Sequence, residues 1–181
     1  MFISQALRKK SIAEYVLYMW QVEDLIRAYG CQLSRIKNEY VSQFADYTAE
    51  QRDELVDWYG DLIRMINQEG KREKGHLQIN QIVVQDMSEL HAQLLQSAKF
   101  PFYSTEYYKV LPFIVELRNK GSKDTGEVET CLNALYGTMM LRLQKKTISP
   151  ETAHAVKEIT TFVGMLSDYY IKDRTEGLEF D

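Results

Sequence analysis

Apolar residues recur at intervals of three and four through most of the chain, and no run alternates apolar with polar between hairpin turns. The pattern predicts helices throughout and no sheet. Ser11 with Glu14 reads as a capping box that opens a helix running to about Gly30, whose missing side chain suits a C-terminal cap. "CQLSRIKNEYVSQF" reads as a shorter helix or an extension of the first. Thr48 with Gln51 repeats the capping pattern and starts a helix through Trp58, Tyr59, Leu62 and Ile66 that ends near Gly70. The polar turn "EGKREKG" precedes a helix from about Leu77 to Ala98. Ser104 caps a helix over Thr105 to Asn119, another covers Glu127 to Lys146, and Ser149 with Pro150 opens a last one to about Lys172. Short polar links favour antiparallel neighbours. The expected architecture is all-α, a single up-and-down bundle of about five to seven helices, with residues 1–181 as one domain and 173–181 a flexible tail.

The most apolar stretch, "EYVLYMWQVEDLIRAYG", also carries three charges. At about 100° per residue, Ile12, Tyr15, Val16, Met19, Val22 and Ile26 share one face. Glu23 falls inside that face, about 40° from its centre, whereas Asp24 falls on the polar edge. A buried carboxylate must pair or hold its proton. Arg27, four residues on, is the local partner, so Glu23 and Arg27 are read first as a buried clamp and second as ligand-binding residues.

Two more polar residues share apolar stripes. His91 lies with Val83, Met87, Leu90 and Leu94, and Arg142 continues the stripe Val128, Cys131, Leu132, Leu135, Met139. Each has an ordinary explanation, a hydrogen-bonded core histidine and an arginine snorkelling past the end of the core. If Glu23, His91 and Arg142 converge, they form a polar pocket with an acid, an imidazole and an anion binder.

Composition narrows the classes. The 181 residues are 45% hydrophobic and 27% charged, as in an ordinary globular protein. A net charge of -4 gives no general attraction for nucleic acid. Cys31 and Cys131 stand far apart without metal-type spacing, which fits a reduced, cytoplasmic chain. No signal-peptide pattern opens the chain, and its longest nearly uncharged run is far below the ~20 residues of a membrane span.

The segment "LRKKSIAEYVLYMWQVEDLIRA", in an all-helical chain of this length, resembles a family of uncharacterised proteins from Bacteroides and relatives. The resemblance implies an all-α bacterial cytoplasmic protein. It implies no activity and no site residues.

Metal and catalytic signatures are weak. Two ExxH spacings, Glu73 to His76 and Glu151 to His154, fall on a turn and on the first helical turn after Pro150, the wrong setting for a bundle-core metal site. Asp53, Asp57 and Asp61 lie opposite an apolar face and read as solvated. No phosphate loop, GxSxG elbow or catalytic cysteine pattern occurs. No metal and no cofactor is expected. "FPFYSTEYYKVLPF" places six aromatics in fourteen residues around Pro101 and Pro112, and Pro112 is expected to kink its helix. Phe102, Tyr103, Tyr107 and Tyr108 are the candidates for a cleft or protein interface. The reading is therefore a non-catalytic binding or protein-interaction module, with a protein partner or self-association. The alternative is a small-molecule-binding or hydrolytic enzyme with a polar pocket in the bundle core, its metal-dependent form ranking last.

Overall fold

The computed structural model describes residues 1–121 and 123–181. Among them are eight α-helices and no strand: α1 (Phe2–Lys10), α2 (Ile12–Ala28), α3 (Leu33–Arg35), α4 (Ala49–Gln68), α5 (Gln78–Gln96), α6 (Pro101–Lys120), α7 (Glu127–Leu143) and α8 (Pro150–Glu176). The all-α expectation stands, with one helix more than the upper count. The addition is α1, which ends where Ser11 caps the next helix by accepting the Glu14 N–H at 3.3 Å. Arg8, Lys9 and Lys10 occupy the last turn of α1, where cations complement the helix dipole.

The chain separates into two compact units, one of Met1–Ala6 and Tyr18–Ile82, the other of Leu7–Leu17 and Val83–Asp181. Helices α2 and α5 each contribute residues to both.

In the first unit α3 leads into a five-residue π-helical turn, Ile36–Tyr40, and a 3₁₀ turn, Val41–Gln43, which pack with α4. Wide and tight turns are used in short pieces, and here they bring Ile36 and Val41 inward to full burial. Thr48 and Gln51 close a complete capping box on α4, and Leu55, Tyr59, Leu62 and Ile66 form its buried stripe. Asp53, Asp57 and Asp61 face solvent on the opposite side.

In the second unit α6, α7 and α8 pack on one another around Tyr103, Val110, Ile114, Val128, Cys131, Leu132, Ile159, Phe162 and Leu166. Helix α6 starts four residues before the expected Thr105. Pro101, with its fixed φ, takes the first helical position, and Ser104 lies inside the helix. The helix continues through Pro112 to Lys120. Helix α7 stops at Leu143, short of the expected Lys146, and Lys145 adopts a left-handed φ of 56° just beyond it. Helix α8 runs to Glu176, so the first part of the expected tail is helical. Beyond it the Asp181 carboxylate accepts the Ala98 N–H at 2.7 Å and the Ser97 hydroxyl at 3.0 Å. No helix among the described residues is long and apolar enough to cross a membrane.

Candidate functional site

Glu23 is buried as the helix wheel predicts, 0% exposed, while Asp24 next to it faces solvent. The expected pair with Arg27 is present, and three closer partners join it. Oε1 accepts the Leu77 N–H at 2.9 Å and the Asn80 amide at 2.6 Å, and Oε2 meets His76 Nδ1 at 2.7 Å. Arg27 stands 3.9 Å from Oε2, the most distant partner. Its guanidinium spends its donors elsewhere, on Asp24 at 2.8 Å, on the Lys71 carbonyl at 3.0 Å and on the Gly75 carbonyl. Glu23 is thus a clamp, but one that seizes the start of α5, where unsatisfied N–H groups and the helix dipole favour an anion. Glu69 does the same from outside by accepting the Gln78 N–H at 2.8 Å.

The turn before α5 makes this geometry. Gly75 has φ of +89°, a value that strains residues with a side chain, and it reverses the chain so that the His76 ring and the Leu77 N–H meet one carboxylate. Because a carboxylate only accepts, His76 Nδ1 carries a proton, and in the neutral ring the lone pair is on Nε2. The imidazole stacks on Trp20, with centroids 4.2 Å apart and planes at 14°. Its side chain is 25% exposed, and Nε2 has no hydrogen-bond partner among the described residues. Asn80 must turn its NH₂ to Glu23, and this leaves its buried Oδ1 without a donor.

The second unit contains a different polar cluster. His91 Nε2 lies 3.2 Å from Glu127 Oε2 and Nδ1 lies 2.6 Å from the Tyr103 hydroxyl, while the Tyr107 hydroxyl donates to Glu127 Oε1 at 3.2 Å. The acceptor-only carboxylate sets the direction: Tyr103 donates to His91, and His91 donates to Glu127. Burial holds the His91 pKa below its ordinary value, opposed by the hydrogen bond and charge of Glu127. Burial also pushes the Tyr103 hydroxyl well above its usual range, the Tyr107 hydroxyl up to about 12, and the Cys131 thiol, one turn beyond Glu127, up to about 12. Tyr103 and His91 are buried in this network, and Glu127 stands at its edge.

Glu23 and His91 belong to different units, each with its own partners. Arg142 is exposed and lines a shallow groove with Leu135, Met139 and Val156. His91 meets α7 at Glu127, fifteen residues before Arg142, which places the arginine about 22 Å farther along the helix. His91 and Arg142 therefore share no pocket. The aromatic candidates also divide. Tyr103 and Tyr107, one helical turn apart, are buried on His91 and Glu127, whereas Phe102 and Tyr108 are 78% and 66% exposed. The four do not form one surface, because α-helical spacing separates 102 and 108 from the 103–107 face.

A sizeable cleft lies between α6, α7 and α8. It measures about 530 Å³ and is lined mainly by apolar groups, Phe113, Leu117, Leu141, Val156 and Ile159 among them, with Glu116, Lys120 and Glu151 at its margin. Lys120 pairs with Glu116 at 2.5 Å. Gly137 forms part of the wall, and a Cβ there would meet nothing within 4 Å, so its glycine leaves space unfilled. No group of three or more His, Cys, Asp or Glu among the described residues is placed to hold a metal ion. Neither His76 nor this cleft stands out by sequence. The signals were a buried Glu23 in need of donors and the small residues Ala134 and Gly137 on an otherwise bulky helix.

No curated protein and no solved structure matches the chain. A family model does match, over residues 1–177, and its description is a domain of unknown function, DUF4924.

Proposed function

We propose a role for this chain, which belongs to the DUF4924 family, a domain of unknown function, from its own geometry: it is a non-catalytic binding protein whose ligand occupies the cleft between α6, α7 and α8. The observation that carries this reading is the cleft itself. Its volume of about 530 Å³ falls within the 300–1,000 Å³ typical of small-molecule sites, and its mainly apolar wall with a few polar groups at the margin is the usual make-up of such sites. Among the described residues the cleft lining holds no histidine and no cysteine, and binding rather than turnover is the proposed activity. The polar pocket of Glu23, His91 and Arg142 draws no support from the separate partners of these three residues.

A bacterial, cytoplasmic setting belongs to the same proposal. It rests on the resemblance of the first thirty residues and on two cysteines that remain free. A second reading, contact with a protein, is favoured by the exposed Phe102, Tyr108 and Val115 of α6.

The cleft reading is tested by filling the cleft. An apolar dye whose fluorescence rises on leaving water should bind the natural chain at one saturable site. Gly137→Phe should abolish that binding with the melting temperature unchanged or raised, since the position has room for a side chain and glycine is unfavourable within a helix. Dye binding that survives Gly137→Phe would overturn the assignment.

A further inference from the structure

His76 is an unusual surface histidine, because a buried carboxylate fixes its tautomer. Nδ1–H is held by Glu23 Oε2 at 2.7 Å, one ring face is covered by Trp20, and the exposed remainder of the ring includes Nε2 with its lone pair free. Orientation by a buried acid is how imidazole is prepared as a nucleophile: the acid holds the ring in place and stabilises the positive charge it acquires on attack. The stretch leading to the ring is cationic. Lys71, Arg72 and Lys74 lie within five residues of His76, and Lys71 Nζ folds to 3.3 Å from where a Cβ on Gly75 would stand. Of the two acids in this stretch, Glu69 accepts the Gln78 N–H and Glu73 offsets one of the three cations, which leaves a net positive charge. Positive charge beside a nucleophilic nitrogen selects an anionic electrophile, and a phosphoryl group is the one whose product keeps its negative charge there.

We propose that His76 is a phosphoryl-acceptor site, independent of the cleft, which takes its group from a small acyl phosphate. The Nε2 lone pair attacks phosphorus, an N–P bond forms, the P–O bond to the acyl group breaks, and a carboxylate leaves with the bonding electrons. No proton has to move. The ring becomes an imidazolium that keeps Nδ1–H on Glu23, and the new dianion forms on the residue that follows the cationic stretch, where Lys71 Nζ folds back on Gly75 while Arg72 is held by Asn67 and the Gly30 carbonyl. Glu23 is a positioning residue here and does not touch the donor.

The experiment uses the full chain with acetyl phosphate as the probe, read by intact mass, by peptide mapping under conditions that preserve phosphoramidates, and by ³¹P NMR. The chain has three histidines, so His154, which is exposed and meets the Phe113 ring edge-on, is the internal control. The expected result is one acid-labile phosphoryl group on His76, at Nε2 alone, formed roughly tenfold or more faster than any on His154. His76→Asn should remove it. Glu23→Gln should slow it and let the Nδ1 isomer appear beside the Nε2 one, a change of position that loss of stability alone would not produce. If Glu23→Gln does not fold, the isomer and the His76-to-His154 rate ratio in the natural chain decide. No label on His76, equal labelling of His154, or a mixture of ring isomers in the natural chain overturns the proposal.

Discussion

The two carboxylate–histidine pairs among the described residues are built inversely. In the first unit the carboxylate is sealed and the imidazole stands at the edge, with Glu23 0% and His76 25% exposed at the side chain. In the second the imidazole is sealed and the carboxylate stands at the edge, with His91 8% and Glu127 29% exposed. A sealed carboxylate costs so much to desolvate that it must gather donors, and Glu23 gathers the Leu77 N–H, the Asn80 amide and His76. The imidazole is one donor of several and keeps a nitrogen free. A sealed imidazole has two nitrogens to satisfy and uses both, one on Tyr103 and one on Glu127. The chemical pair is the same, and which partner is buried decides whether one ring nitrogen stays without a hydrogen bond among the described residues or both are used.

The largest effect should come from removing the sealed acid. Glu23→Ala strands a backbone N–H, an amide and an imidazole at the start of α5, and it should cost about 3–5 kcal/mol of unfolding free energy in urea titration. A cost under about 1 kcal/mol would place Glu23 with exposed ion pairs and break the contrast.

Removing the sealed base should cost less. His91→Phe fills the space but leaves the buried Tyr103 hydroxyl without its acceptor, a loss of about 1–3 kcal/mol by the same measurement. This difference should depend on pH. The folded pKa of His91 is depressed, so as pH falls through its ordinary value near 6.5 the unfolded chain takes the proton first. The stability that natural His91 contributes is present in full above that value, declines as pH drops towards the folded pKa, and is constant below it. Melting temperatures of the natural and His91→Phe chains should therefore converge as pH is lowered from 7.5. Divergence would mean that Glu127 outweighs burial.

His76→Ala should cost about 1 kcal/mol, because Glu23 retains its other donors and the ring is already partly hydrated. A loss as large as that of Glu23→Ala would make the histidine the clamp. Arg142→Ala, at an exposed position outside both pairs, should change stability by less than about 0.5 kcal/mol.

Much of the helical frame was legible because burial follows the 3.6-residue period. Ile12, Tyr15, Val16, Met19, Val22, Glu23 and Ile26 are all buried on the face that the spacing marks. The termini were less legible, since several residues can start or end a helix: Pro101 prevails over Ser104, and Ser11 separates two helices where it was read as opening the first. The sites were harder to read for different reasons. Glu23 announced that it needed partners, but His76 lies 53 residues away in sequence, and periodicity along one helix carries no information about which turn meets it. The local signal at His76, a charged glycine-flanked stretch, described the turn correctly and concealed its contact. Arg27 was legible as a partner and misjudged in rank, because backbone carbonyls of that same turn compete for its donors. The cleft is unfilled volume, and a sequence records side chains that are present more clearly than space left by Ala134 and Gly137.

The binding role is tested most directly by mapping the dye onto the chain with amide NMR spectra during titration. The account predicts saturable shifts concentrated at Gly137, Leu141, Val156 and Ile159, absent in Gly137→Phe. Shifts concentrated instead at Phe102, Tyr108 and Val115, or spread evenly over the chain, would contradict it.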